Sequence, residues 1–164
     1  MFLEENMNER EFMKLIRKDR YRVFIFSSHI AFPLSFITHT WIVTSEKGIV
    51  NRYDIFHRKK KEGHLYINLL RSWEGLGFVF WNRKPRWNSH LLWAIDGGKN
   101  SLAEKIVRFM KKSSTYPFKK KYHFFPGPNS NTFVQWILDQ FRDISLKLPW
   151  NALGKNYRRA LYRD

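Results

Sequence analysis

An α+β domain, an antiparallel sheet packed with helices, is what this sequence predicts, on three observations. Strand-like segments crowd the first half of the chain, amphipathic helical periodicity is concentrated in the second half, and the two do not alternate as they would around a parallel sheet. With 164 residues and 43% hydrophobic content, the chain can bury a core as one unit. It divides into a helical extension at 1–20 and a single α+β domain at 21–164.

The elements follow in order. Phe12, Leu15 and Ile16 recur at helical spacing within Glu4 to Lys18, which predicts an opening helix lying outside the sheet. Strands are expected at Tyr21 to Phe26, Ile37 to Thr44, Ile49 to Phe56 and His64 to Leu70. Ser45-Glu46-Lys47-Gly48 and Lys60-Lys61-Glu62-Gly63 supply turns, so these strands form a meander. Short apolar runs at Gly77 to Trp81 and Leu91 to Ile95 are further strand candidates. After Asp96-Gly97-Gly98 breaks the chain, Ser101-Leu102-Ala103-Glu104 has the capping-box pattern of a helix that runs to about Lys112. A basic loop leads to Pro126-Gly127-Pro128, which cannot continue a helix backwards. Phe133, Trp136, Ile137 and Phe141 then set the period of a second helix starting close to Ser130.

Composition narrows the chemistry. The absence of cysteine excludes disulfides, thiolate metal sites and cysteine nucleophiles. No histidine pair has metal-ligand spacing backed by carboxylates, so neither a metal nor another cofactor is expected; His29, His57, His90 and His123 have little context. Met1 to Glu5 lack the order of a secretory signal, which makes a cytoplasmic protein the expectation. Val23 to Ser45 carries no charge and is long enough to cross a bilayer, yet Pro33 and a series of Ser, Thr and His residues split it into two runs, which fit buried strands better.

Thirty Lys plus Arg against fourteen Asp plus Glu, a formal charge of +16, create a field that attracts nucleic acid, anionic lipid or another polyanion. The charge is spread over many short groups, among them Arg58-Lys59-Lys60-Lys61 and Lys119-Lys120-Lys121, without a zinc finger or other recognition signature. Trp81, Trp87 and Trp93 beside Arg83, Lys84 and Arg86 could line a groove for an acidic or single-stranded ligand, and the same basic, Trp-rich surface suits peripheral attachment to an anionic membrane.

The candidate site lies elsewhere. Ser130 falls among the unpaired N–H groups of a helix start, where negative charge is favoured and an oxyanion could be stabilised. The same position is a preferred helix cap, and Asn129, Ser130 and Asn131 are all cap types. His39 shares a strand face with Ile37, Trp41 and Val43 by two-residue alternation and should point into packed structure, either as a satisfied core histidine or as a base. His64, which opens the next-but-one strand after Gly63, could orient it or merely face water. Asn129, Asn131, Thr132, Trp41 and Tyr122 are the candidate binding residues, for an unidentified small-molecule, peptide or lipid substrate.

Tyr116-Pro117-Phe118, Tyr122 and Pro126-Gly127-Pro128-Asn129-Ser130-Asn131-Thr132-Phe133-Val134, with Thr38-His39-Thr40-Trp41 upstream and Leu148-Pro149, Gly154-Lys155 and Tyr157 downstream, resemble an uncharacterised bacterial family, domain of unknown function 3750. The resemblance spans His39 to Tyr157 and implies no activity. More distantly, Asn129-Ser130-Asn131-Thr132-Phe133-Val134 is similar to the Asn-Cys-x-x-Phe-Val helix start of circularly permuted NlpC-type and lecithin-retinol-acyltransferase-like proteins. That likeness implies a papain-like architecture in which an early strand histidine meets a late helix start, with Ser130 in place of cysteine. It implies a hydrolase or acyltransferase cleaving an amide or ester, with Ser130 as nucleophile and His39 as base; the alternative is a catalytically inactive basic module that binds nucleic acid or another polyanion.

Overall fold

The structure, a computed structural model, describes residues 7–30, 33–58, 63–76 and 89–157. Five antiparallel strands, β1 (Tyr21–His29), β2 (Thr38–Glu46), β3 (Ile49–Ile55), β4 (Leu65–Ile67) and β5 (His90–Gly97), form one sheet in the order β4-β3-β2-β1-β5. Helices α1 (Glu9–Lys14), α2 (Leu102–Met110) and α3 (Ser130–Gln140) complete an α+β fold.

Both sheet faces are covered, which explains the uncharged stretch at its centre. On β1, Val23 and Ile25 point to one face, where with Ile42 and Ile55 they meet Ile106 and Met110 of α2 and Phe133 and Ile137 of α3. Phe24 and Phe26 point to the other, where they pack with Trp41, Val43 and Phe12 of α1. A strand buried on both sides has no need to alternate apolar with polar residues. The run that is long enough to span a bilayer is thus the pair of central strands, and among the described residues no helix is long and apolar enough to cross a membrane.

Several boundaries differ from expectation. The described opening helix is shorter, Glu9–Lys14, and starts at a capping box in which Asn8 and Glu11 exchange side-chain and backbone hydrogen bonds. The fourth strand ends at Ile67 and does not reach Leu70. Asn68 takes a left-handed φ of 56°, its N–H donates to Arg52 O at 2.9 Å and its Oδ1 accepts from Arg52 N at 2.7 Å, so a side chain closes the ladder and the backbone turns away. The strand expected at Gly77 to Trp81 lies outside the described residues, as do Trp87, Arg83, Lys84 and Arg86; Trp93 packs against the first core.

α2 starts where the capping pattern places it, with Ser101 Oγ accepting from Glu104 N. Asn100 N donates to Glu104 Oε2 at 2.6 Å and this bond holds the carboxyl below its ordinary pKa, helped by Tyr21 and Arg108 against the opposing effect of burial. A carboxyl depressed in the folded state stabilises above its unfolded pKa, and that contribution is lost as pH falls through the folded value. Glu104→Gln is therefore expected to flatten the acid side of the stability profile, measured as urea midpoints at steps below about pH 5; a profile unchanged from the parent would contradict this role.

One irregularity positions the site. β1 pairs with β2 along its whole length to His29↔Thr38, but the β2–β3 ladder stops at Ile42↔Tyr53. Beyond it the first residues of β2 diverge from β3, and the N-terminus of α3 docks there: Asn131 Nδ2 donates to Thr38 O and Thr40 Oγ1 donates to Asn131 Oδ1, each at 2.8 Å.

Candidate active site

The start of α3 is fixed by its neighbours. Asn129 is the N-cap: its Oδ1 accepts from Asn131 N at 3.0 Å and Thr132 N at 3.2 Å. Its Nδ2 donates to Phe124 O and Leu153 O. Gly154 has a φ of +89°, and a Cβ there would come within 2.4 Å of Asn129 Nδ2, so glycine at this position is what lets the C-terminal segment close over the cap. Thr132 Oγ1 accepts from Asn129 N and donates to Gly154 O. Capping thus belongs to Asn129 and leaves Ser130, the first helical residue, with its hydroxyl free for another partner. Among the described residues the Ser130 N–H also takes no partner, as expected for a helix-terminal donor.

That partner is His39. Ser130 Oγ lies 2.7 Å from His39 Nδ1, across 91 residues of sequence. The ring is held between Phe56 and Trp41, stacked on both at centroid distances of 5.5 and 5.9 Å. Its Nε2 is 2.9 Å from Asp54 Oδ1, in contact though not in line for a hydrogen bond. A carboxylate this close to Nε2 favours the proton on that nitrogen, which leaves Nδ1 as the acceptor for the serine hydroxyl. The order is hydroxyl, imidazole, carboxylate, with the ring used in the opposite sense to the chymotrypsin-type triad.

Asp54 is itself secured. Its Oδ1 accepts from Ile55 N at 2.8 Å, and Oδ2 accepts from Arg52 Nη2 at 2.7 Å and Nε at 3.1 Å. Arg52, 1% exposed, sits over the Trp41 ring at 4.2 Å and donates through Nη1 to Arg71 O and Glu74 O at 2.7 and 2.5 Å. Burial lowers the Arg52 pKa, against the stabilising effect of Asp54. The pair brings no net charge into the interior, and every acceptor facing the guanidinium is a fixed protein oxygen.

The dyad of Ser130 and His39 opens on a cavity of about 680 Å³. Its walls are largely apolar, with Ile30, Leu34, Ile37, Leu76 and Leu153, and Tyr122, His57 and His123 supply polar edges. Burial raises the Tyr122 pKa, with the Asp54 charge adding to it, so its phenol stays protonated. Its hydroxyl has no hydrogen-bond partner among the described residues.

Residues 20–157 match the family described as Protein of unknown function (DUF3750). The chain belongs to that family. No curated protein and no solved structure matches it. In this DUF3750 protein the predicted site residues divide into two groups. Ser130 and His39 are in contact, and Tyr122 lines the same cavity. His64 is not on His39: its Nδ1 lies 3.0 Å from Phe56 O, and its ring stacks on His57 and meets Tyr122. The place facing Nε2 is held by Asp54. Asn129 and Asn131 reach the cavity wall, but their amides, like the Thr132 hydroxyl, are spent on holding α3 against β2 and Leu153–Gly154. Trp41 is fully buried, stacked on Phe26, with Nε1 donating to Ser72 O.

Asp54 and Arg52 were missed as site residues although the sequence carries their signal. They stand two apart, hence on one face, of a strand whose other face bears Tyr53 and Ile55. A charged pair of opposite sign on a central strand is the pattern of a buried ion pair.

Proposed function

We propose that this protein is a serine-dependent hydrolase or acyltransferase that cleaves an ester or amide carrying an apolar group. The observation that carries the reading is the 2.7 Å contact between Ser130 Oγ and His39 Nδ1 at the wall of a largely apolar cavity. In the first half-reaction Ser130 Oγ attacks the substrate carbonyl carbon while its proton passes to His39 Nδ1. The tetrahedral intermediate collapses as the carbon–heteroatom bond breaks, and the imidazolium returns that proton to the leaving alcohol or amine. Water, or an acceptor alcohol or amine, then attacks the acyl-serine with His39 again as base, and the serine is restored. Asp54 orients the ring and stabilises the imidazolium.

The oxyanion meets the Ser130 N–H at the α3 terminus, where the helix dipole also favours negative charge. The Tyr122 hydroxyl, kept protonated by its raised pKa, is the second donor. Tyr122→Phe is expected to slow turnover by about 10²-fold, the loss typical of one oxyanion donor, with the urea midpoint close to the parent's; parent-level turnover would remove Tyr122 from this role.

The direct test needs no knowledge of the substrate. A fluorophosphonate probe should form one adduct on the Ser130 peptide of the folded protein and none after heat denaturation, with labelling greatly slowed in His39→Ala and Asp54→Asn. Absence of an adduct at Ser130 over a range of pH and probe chain lengths would refute the nucleophile. The basic surface remains the basis for the other reading, a polyanion-binding module; tight, salt-sensitive nucleic-acid binding by a protein that fails the labelling test would favour it.

A further inference from the structure

Five of the nine large hydrophobic side chains exposed among the described residues, Leu34, Phe36, Phe124, Phe125 and Trp150, belong to segments that line or adjoin one cavity. Leu34 and Phe124 belong to its wall, and Phe125 follows Phe124 in the Pro-Gly-Pro loop. Phe36 and Trp150 are joined to the same region through Asn151, whose Nδ2 donates to Phe36 O at 2.7 Å and whose carbonyl accepts from Thr38 N at 3.1 Å.

These side chains are held outward by ordered backbone. Lys155 Nζ donates to Leu148 O and Pro149 O at 2.9 and 2.5 Å, and Ala152 N donates to Pro149 O. The turn that presents Trp150 is therefore braced by three hydrogen bonds, while the indole itself is 83% exposed. Phe124 O is tied to the cap of α3 by Asn129 Nδ2, and Phe125 next to it is 68% exposed. Tryptophan and phenylalanine this exposed on anchored loops are costly in water and favoured where apolar medium meets polar surface.

Basic residues flank these segments along the chain. Lys120 and Lys121, both exposed, lead into the cavity-wall residue Tyr122, and exposed Lys147 stands three residues before Trp150. The chain as a whole carries +16. Separate apolar prongs flanked in sequence by exposed lysines match a fluid, negatively charged lipid interface, which accepts rings at any spacing; a stacked base ladder or a shaped protein partner would require one groove.

We infer that this rim, Phe36, Phe125 and Trp150 with Lys120, Lys121 and Lys147, is a docking surface for an anionic phospholipid bilayer. It faces the cavity of Ser130 toward the membrane. Docking requires no chemistry at Ser130, so its test and that of the proposed activity are separable.

Flotation with vesicles of phosphatidylcholine alone, or of equal parts phosphatidylcholine and phosphatidylglycerol, decides the matter. The parent protein and Ser130→Ala should both float with the anionic vesicles, less so as salt is raised, and remain behind with the neutral ones. The combined variant Phe36→Ser, Phe125→Ser, Trp150→Ala, with unchanged circular dichroism and urea midpoint, should lose binding about tenfold or more. Lys120→Glu with Lys121→Glu should lose the preference for anionic vesicles. A parent protein that ignores anionic vesicles at low salt overturns the proposal. So does a ring-deleted variant that floats like the parent, since adsorption would then be charge alone.

Discussion

Ser130→Ala is expected to lower ester or amide turnover by about 10⁴-fold or more, the scale on which a triad acts as one unit, while the protein stays folded. The second half of this expectation rests on who caps α3. Asn129 supplies the cap bonds, so removing the Ser130 hydroxyl costs only its buried bond to His39, about 1 kcal/mol. The result separates the two roles open to a serine at a helix start. A large loss of turnover with a urea midpoint near the parent's identifies a reacting hydroxyl; a large loss of stability would make Ser130 structural. His39→Ala should match the loss of turnover and should not add to it in the double variant, because each single change already removes the same proton transfer.

Arg52→Met carries the largest expected effect on stability. It leaves the Asp54 carboxylate, 2% exposed, without its cation, and breaking one side of a buried pair costs about 3–5 kcal/mol. That is a large part of the stability of an ordinary domain. Arg52 also holds two carbonyls of the segment that leads to Leu76 on the cavity wall, and their donors would be lost as well. The companion variant Arg52→Met with Asp54→Asn removes both charges and is expected to recover part of the midpoint lost in the single change, as read by urea denaturation. It should not recover turnover, because an amide in place of the carboxylate no longer stabilises the imidazolium. A single Arg52→Met variant as stable as the parent would show that the pair contributes nothing to the fold.

The two halves of the site differ in how far they could be read beforehand. Ser130 and His39 were legible because each sits in a local pattern: a turn that must end before a helix begins, and a histidine in a run with the period of a strand. Asp54 was legible only as part of a strand. Its value depends on the divergence of β2 and β3 beyond Ile42↔Tyr53, which no local pattern announces. His64 opens a strand by its sequence pattern, where it could orient His39 or face water; the structure turns it toward Phe56 O and Tyr122. Asn129, Asn131 and Thr132 looked like binding groups because they are polar and adjacent to Ser130. Burial engages their polar atoms, since polar atoms taken out of water must find partners; here the C-terminal segment and β2 provide them, while Asn129 and Asn131 still line the cavity.

What this sequence determined by itself was the α+β class, the strands and helix starts along most of the described chain, the family motif and the two residues that meet at the site. Those follow from interactions a few residues long: hydrophobic period, turn chemistry and caps. Only tertiary structure decided that Asp54 faces His39 and that Arg52 neutralises it. It alone also decided that Asn129, and not Ser130, caps the helix, and that the segments carrying five exposed apolar side chains line or adjoin one cavity. Each of these depends on which distant segments share a desolvated volume, and burial sets which charge needs a partner and which hydroxyl is left out of the helix cap.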